Sequence, residues 1–548
     1  AMTRDGATGF CLLGQTPDPT PLATRSDAGL QPSLAASHRH SLSVPTTRPP
    51  IPEDLMNRLN PAPAPPTAPD MGLFSPLPLD PDAWVEASDI TARAHEKFLA
   101  LTQTNMDHMQ TQFAALTRAA ALTREPGFAP PSHENNALPP ISSPPLFTRD
   151  QCMEFAVGRA GNVLGPDFDI IDTYPVRVRL PDDPLMLVDR IMAIEGTPCS
   201  LGPGKIITQH DVRPDAWYLD GGVAPVSISI EAGQADLFLC AFLGIDHQVK
   251  GTRKYRLLDA RVTFHRPLPE PGETIEYHIC IDRFLKQGDV FLFFFHYKGY
   301  INRQLFISMR DGCAGFFTEA EVEKSGGIVL KKQDQTPVLP EHGFTPLVRV
   351  WPAAFDESRI AHLRSGNLAN AFGSDFSGIT LGAAQRLPGG PMHLIDRVLS
   401  FDPDGGRYGL GTIVAEADIR PDAWFLTCHF IDDPVMPGTL MYECCAHALR
   451  IFVQRMGWVS PDPVARFNVL QNNESDLKCR GPVTPDTKKA RYEIEIKQMG
   501  YTAADGQPFV IADAHMFADN LRIVLYKDMG MTLTGVTRDT LRHVWRHK

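Results

Sequence analysis

The segment WFLTCHFIDDPVMPGTLMYECCAH at 424–447 concentrates groups that could do chemistry. His429 is the natural general base within it, because imidazole is the side chain whose unperturbed pKa lies near neutrality. Pro437-Gly438 falls where a helix should begin, and the first N–H groups of a helix have no partner inside it. Together with the helix dipole they can hold a carbonyl oxygen as it gains negative charge. Gly438 lets such a group approach the backbone closely. A base beside an oxyanion cradle is equipment for moving a proton next to a carbonyl. Two competing readings are plainer. His429 with Asp432 and Asp433 could ligate a metal, but acid–base chemistry accounts for the segment without one. Glu443 and His447 share a helix face at i, i+4, yet form no HExxH motif, so a packed or solvated pair suffices. His265, His278 and His296 fall in strand patterns and read as core or face residues.

These groups must be positioned by elements, and an internal repeat shows which. DPLMLVDRIMAIEG at 183–196 recurs as GPMHLIDRVLSFDP at 390–403, and DVRPDAWYL at 211–219 recurs as DIRPDAWFL at 418–426. Asp189 to Asp396 and Trp217 to Trp424 are both separations of 207 residues, which marks a duplicated unit. The repeated Asp-Arg reads as an ion-pairing device and the repeated Trp as core packing. Each copy continues with an apolar helix, SISIEAGQADLFLCAFLG at 227–244 and GTLMYECCAHALRIFVQRMG at 438–457, closed by Gly at the C-cap. β-rich runs follow: ETIEYHICIDRF, VFLFFFHYKGY and QLFISMRDGCAGFF in the first copy, KARYEIEIKQMG, PFVIADAHMF and LRIVLYKD in the second. One apolar helix and several long antiparallel strands predict an α+β hot-dog layout, a sheet wrapped around a central helix, with the two copies paired as a pseudodimer. The expected repeats span 151–325 and 381–540, joined by a linker at 326–380. Upstream, the spacing predicts a Pro/Ala-rich linker at 1–82, an amphipathic helix at 83–124 and a second linker at 125–150.

CHFIDDPVMPG at 428–438 resembles the active-site signature of the 3-hydroxyacyl-ACP dehydratases, especially the bacterial dehydratase/isomerase family. The likeness extends to RPDAW before the motif and to FNVLQNNESDLKCRGPVTPDTKKARYEIEIK after it. The tandem arrangement is similar to dehydratase regions of Pfa-type polyunsaturated fatty acid synthases, and this resemblance covers 160 to 530, leaving the first 150 residues as an inter-domain segment. It implies removal of water from a 3-hydroxyacyl thioester, which needs a base at C2, a proton for the departing hydroxyl and donors for the thioester carbonyl. It implies His429 as the base, with Gly438, Pro437, Cys428 and Gln234 at the substrate. The family's acid lies five positions beyond the motif glycine, which is Glu443 here, and aligning the helices puts Glu231 at the same place in the first copy. In hot-dog dimers of that family the His of one unit meets the acid of the other, so the resemblance pairs His429 with Glu231. Burial beside an apolar tunnel would keep this acid protonated. Gln234 and Asp236 could orient it, and Asp236 could itself be the donor.

The first copy departs from the pattern. It has WYLDGGV at 217–223 where the second has WFLTCHFIDDPV at 424–435, so it is five residues shorter and lacks the His. One complete site is expected, Glu443 facing a degenerate one; both glutamates stay candidates for the acid, with Glu231 ahead. Isomerisation of the trans-2-enoyl product to cis-3 stays open. So do a hot-dog acyl thioesterase, against which His429 and Gly438 count, and a catalytically inactive acyl-binding scaffold. No cofactor is expected beyond the phosphopantetheine arm of acyl carrier protein. The expected partners are that carrier and other parts of a fatty acid or polyketide-type synthase, with a homodimer of pseudodimers compatible.

A formal net charge of −12 argues against a nucleic-acid-binding surface. Ten cysteines without a CxxC pair fit free thiols in a reducing, cytoplasmic setting. No apolar run of about 18 residues predicts a membrane span. Ala1-Met2 reads as a cloning remnant, so the natural chain is expected to begin upstream.

Overall fold

The computed structural model describes residues 144–338 and 343–546. The linker expected at 1–82, the helix expected at 83–124 and most of the linker expected at 125–150 lie outside the described residues. Among the described residues, no helix is long and apolar enough to cross a membrane.

Alternating apolar and polar side chains make strands with one inward face. In the first repeat these are β1 (Arg190–Glu195), β2 (Gly204–Asp211), β3 (Lys254–Phe264), β4 (Thr274–Gln287), β5 (Val290–Ile301) and β6 (Gln304–Phe317). The second repeat answers with β7 (Arg397–Asp402), β8 (Thr412–Asp418), β9 (Glu474–Cys479), β10 (Lys489–Tyr501), β11 (Pro508–Ala518) and β12 (Leu521–Thr534). Hydrogen bonding joins them antiparallel in the order β1-β2-β4-β5-β6-β3-β9-β12-β11-β10-β8-β7. This order reads the same from both ends once β1 is matched to β7, β2 to β8 and so on. The repeats therefore share one continuous sheet, sewn at β3 and β9 by pairings running from Thr263↔Glu474 to Asp259↔Lys478.

Each half-sheet wraps a helical core: α1 (Val226–Glu231) and α2 (Asp236–Phe242) in the first repeat, α3 (Gly438–Arg455) in the second. This is the α+β double hot-dog. The repeated Trp217 and Trp424 rings meet edge to face, 4.8 Å between centroids, at the junction of the halves. Each indole N–H donates to an equivalent carbonyl, that of Pro184 at 3.0 Å or Pro391 at 2.9 Å. Asp189 and Asp396 each accept the backbone N–H of the residue ending the next strand, Asp211 or Asp418, at 2.8 Å. The neighbouring Arg190 and Arg397 pair with those same two aspartates.

Three sequence expectations need correction. The single helix expected over 227–244 is broken between α1 and α2. The Tyr277 hydroxyl donates to the Ser229 carbonyl at 2.6 Å and so competes for a helical acceptor, while Gly233 and Gln234 donate one residue short, to Ile230 and Glu231. The break also needs Gly233, whose added Cβ would fall 2.9 Å from the Tyr297 ring and 3.0 Å from that of Tyr277. Second, the segment expected to be an inter-repeat linker at 326–380 folds over much of its second half, with helices Glu357–Ser365 and Leu368–Phe372. Ile360, Leu363, Leu368, Phe372 and Phe376 are buried in the core of the second repeat, and burying that apolar surface orders the segment. Third, the first repeat begins before 151, with strand residues Phe147–Thr148 and helix Arg149–Val157. For the folded part of the expected linker a signal was present in GPDF at 165–168, repeated as GSDF at 373–376, but one residue out of step with the other repeated segments.

Candidate active site

His429 directly follows the short helix Trp424–Cys428, in a loop cross-tied to itself. Val435 N–H donates to the His429 carbonyl at 2.9 Å, and Phe430 N–H to that of Asp433 at 2.9 Å. The loop is pinned to the first repeat by its two carboxylates. Asp432 meets Arg179 at 2.6 Å, and Asp433 receives both terminal nitrogens of Arg256 at 2.5 and 3.0 Å. Cys428 and Phe430 are buried within the first repeat's apolar cluster. These contacts answer the metal reading of Asp432 and Asp433: their charge is taken up by arginines.

The His429 ring is oriented from behind. Its Nδ1 lies 2.9 Å from the Val435 carbonyl oxygen, which can only accept, so Nδ1 carries the proton. In the neutral ring this leaves the Nε2 lone pair free, and Nε2 stands 3.7 Å from Glu231 Oε1. Glu231 ends α1, and its other oxygen accepts the Thr439 hydroxyl at 2.5 Å. Imidazole and carboxyl thus come from opposite repeats, and both groups are buried.

A cavity joins them, lined by His429, Glu231, Gln234, Gly438, Thr439 and Tyr255 among others. Gly438 is the first residue of α3, beside the Pro437 N-cap, so its N–H belongs to the unsatisfied first turn. A Cβ built there would touch only Leu257, at 3.9 Å. Packing does not require glycine at this point, and the space a side chain would fill is open to a ligand. The buried Gln234 amide nitrogen has no hydrogen-bond partner, a spare donor at the same wall.

The other expected site residues lie elsewhere. Pro437 caps the helix and Cys428 packs beneath the loop, and neither lines the cavity. Burial pushes the Cys428 thiol up to about 12, an inert sulfur rather than a nucleophile. Asp236 is fully buried, and both its carboxyl oxygens lack partners. Burial raises its pKa far above the usual carboxylate range, so it is neutral, but it does not line the cavity.

Glu443, at the position in α3 equivalent to Glu231, faces a second cavity. It accepts the Ser227 N–H at 2.9 Å and lies 3.4 Å from His447 Nε2. Where a second histidine would be needed the chain has Asp220, 3.4 Å from His447 and clamped by Arg450 at 2.6 Å. Burial opposes charge on His447, but the Asp220 and Glu443 carboxylates, each 3.4 Å from its Nε2, outweigh it and raise its pKa. Ligand atoms of Asp220, Glu443 and His447 lie within 4.8 Å of one another, a spacing compatible with a metal. With His447 protonated, however, two negative and two positive groups already balance, and an added divalent ion would sit beside the Arg450 guanidinium. The cluster reads as a closed ionic network in a lapsed second site.

Sequence reasoning missed Thr439, Val435, Arg179 and Arg256. Thr439 adjoins the motif glycine and could have been noticed, but the arginines carry no local signal because their partners are distant in the chain.

Residues 387–527 match the FabA-like domain family. The chain is 34% identical over 385 residues to a subunit of the polyunsaturated fatty acid synthase of Thraustochytrium sp. (strain ATCC 26185 / S-3), an alignment covering 68% of this chain and 25% of that protein. This chain thus spans about a quarter of that relative's length. Similar solved structures include a protein provisionally called an oleoyl thioesterase from Lactobacillus plantarum, at 9% identity and TM-score 0.32, covering 60% of this chain and 96% of that one. A bifunctional dehydratase-cyclase domain of ambruticin biosynthesis matches at 11% and 0.31, covering 65% and 98%. The dehydratase domain of the CurJ module of curacin polyketide synthase matches at 12% and 0.31, covering 65% and 99%.

Proposed function

Residues 387–527 are a FabA-like domain, and from that premise we propose that the paired repeats dehydrate 3-hydroxyacyl thioesters to trans-2-enoyl thioesters within a multienzyme fatty acid or polyketide-type synthase. The observation that carries the reading is the 3.7 Å approach of His429 Nε2 to the Glu231 carboxyl, in a cavity beside the exposed start of α3.

The thioester carbonyl oxygen accepts the Gly438 N–H, which stabilises negative charge on it as the C2 proton leaves. His429 Nε2 takes that proton, while the Val435 carbonyl stabilises the charge that forms on the ring. The C2–H electron pair becomes the C2=C3 bond, the C3–O bond breaks, and the hydroxyl departs as water with the Glu231 proton. Imidazolium and carboxylate then stand side by side, so one proton passing from His429 to Glu231 resets the site. The substrate arrives on the phosphopantetheine of an acyl carrier protein, a long arm suited to a site at the end of a cavity. Shift of the double bond to cis-3 would use the same base on a C4 proton.

The test is enoyl absorbance from a 3-hydroxyacyl N-acetylcysteamine thioester, with wild type beside His429→Ala. Enoyl formation lost in the variant supports the reading. Release of free thiol without enoyl product would replace it with a thioesterase, and no turnover by wild type with an inactive acyl-binding scaffold.

A further inference from the structure

Resting on the dehydratase reading and deepening it, we infer that Tyr442 is the stop that sets how long an acyl tail the site accepts. The catalytic cavity has two unlike arms. One is rimmed by Arg256, Arg480, Glu321 and Ser325, polar groups suited to the amide-rich arm of a thioester. The other is marked by Gly438, Thr439, Leu257 and Gln234, which also line a second space walled mainly by apolar side chains such as Ile230, Val262, Phe264, Met309 and Leu477. A hydrocarbon tail is stabilised by leaving water for that second arm.

The apolar arm ends at Tyr442. This side chain, with Val469 and Gly530, lines both the arm and the cavity of the lapsed site, so it stands in the partition between them. Its ring is held edge to face against Tyr526, 5.1 Å between centroids, and the Tyr526 hydroxyl donates to the Gly438 carbonyl at 2.8 Å. The stop is therefore braced against the first turn of the catalytic helix. Beyond it lie Val226, Leu268, Phe467 and Met531, apolar surface a longer tail could use, followed by the Asp220, Glu443, His447 and Arg450 network that closes the far side. The repeat without the histidine leaves a spare pocket behind the working one, and the Tyr442 ring stands between them.

The experiment measures kcat/KM for a series of 3-hydroxyacyl N-acetylcysteamine thioesters of rising chain length, with wild type, Tyr442→Ala, Tyr442→Phe and Val262→Phe. Tyr442→Ala should move the cut-off to longer chains, with a gain of about tenfold or more in kcat/KM for the first chain that wild type rejects, the scale of one methylene in an apolar pocket. Tyr442→Phe keeps the ring and should leave the chain-length cut-off where wild type has it. Val262→Phe, which fills the arm ahead of the stop, should move the cut-off to shorter chains, and it carries the test should Tyr442→Ala fail to fold. Active Tyr442→Ala and Val262→Phe proteins whose cut-offs coincide with that of wild type would overturn the stop and leave the dehydratase standing. Wild type inactive on every chain would instead remove the dehydratase reading, and the stop with it.

Discussion

Replacing Glu231 by Gln keeps the side chain's shape while removing its transferable proton, so it separates acid function from packing. The Gln carbonyl oxygen can still accept the Thr439 hydroxyl now bonded at 2.5 Å, and its amide can face His429 across the present 3.7 Å gap. The fold should therefore survive, with a denaturation midpoint close to wild type. An amide cannot hand a proton to a leaving hydroxyl. A positioned general acid contributes about 10²–10⁴-fold, or roughly 3–5 kcal/mol of barrier, so kcat should fall by that factor with KM little changed. Glu443→Gln should do the reverse. Its carboxylate holds the Ser227 N–H and stands beside His447, away from the catalytic cavity. Weakening those buried contacts should cost about 1–3 kcal/mol of stability and leave kcat near wild type. The assay is continuous enoyl absorbance beside urea denaturation of each variant. Loss of turnover in Glu443→Gln with Glu231→Gln unaffected would refute the cross-repeat pairing.

Other outcomes follow from the same geometry. Gly438→Ala places a methyl group where only Leu257 lies near, at 3.9 Å, so the melting temperature should not drop, while kcat/KM falls because the methyl fills the thioester's place. A variant that loses stability and keeps activity would count against that placement. Arg450→Met leaves the buried Asp220 carboxylate without its guanidinium and should cost about 3–5 kcal/mol; adding Asp220→Asn should recover much of it, read from urea midpoints of the single and double variants. The raised His447 pKa gives stability that is complete below the unfolded imidazole value of about 6.5 and fades as pH climbs through the folded value. The stability difference between wild type and His447→Gln, with Asp220, Glu443 and Arg450 all facing the ring, should therefore shrink as pH rises above about 6.5.

Much of the architecture was written locally. The repeated Asp-Arg and Trp segments announced two like units, and period-two alternation in runs such as TIEYHICI marked the strands, because one buried sheet face imposes that period on any chain that forms it. The residues around His429 and Gly438 were equally legible, since a base, a helix start and a close backbone approach all fall within a few positions. Helix continuity was not: the break before Asp236 depends on tyrosines brought in from two later strands. The segment before the second repeat looked like a linker because its apolar residues acquire meaning only against the core that buries them. Glu231 and Glu443 hold equivalent helix positions, and what separates them is the group that the opposite repeat presents, His429 to one and Asp220 to the other, where Asp220 also meets His447 of Glu443's own helix. The order of residues along a chain determines which groups are available. Which imidazole meets which carboxyl was decided by the closing of two halves whose contacting atoms lie far apart in sequence, a geometry that no local spacing encodes.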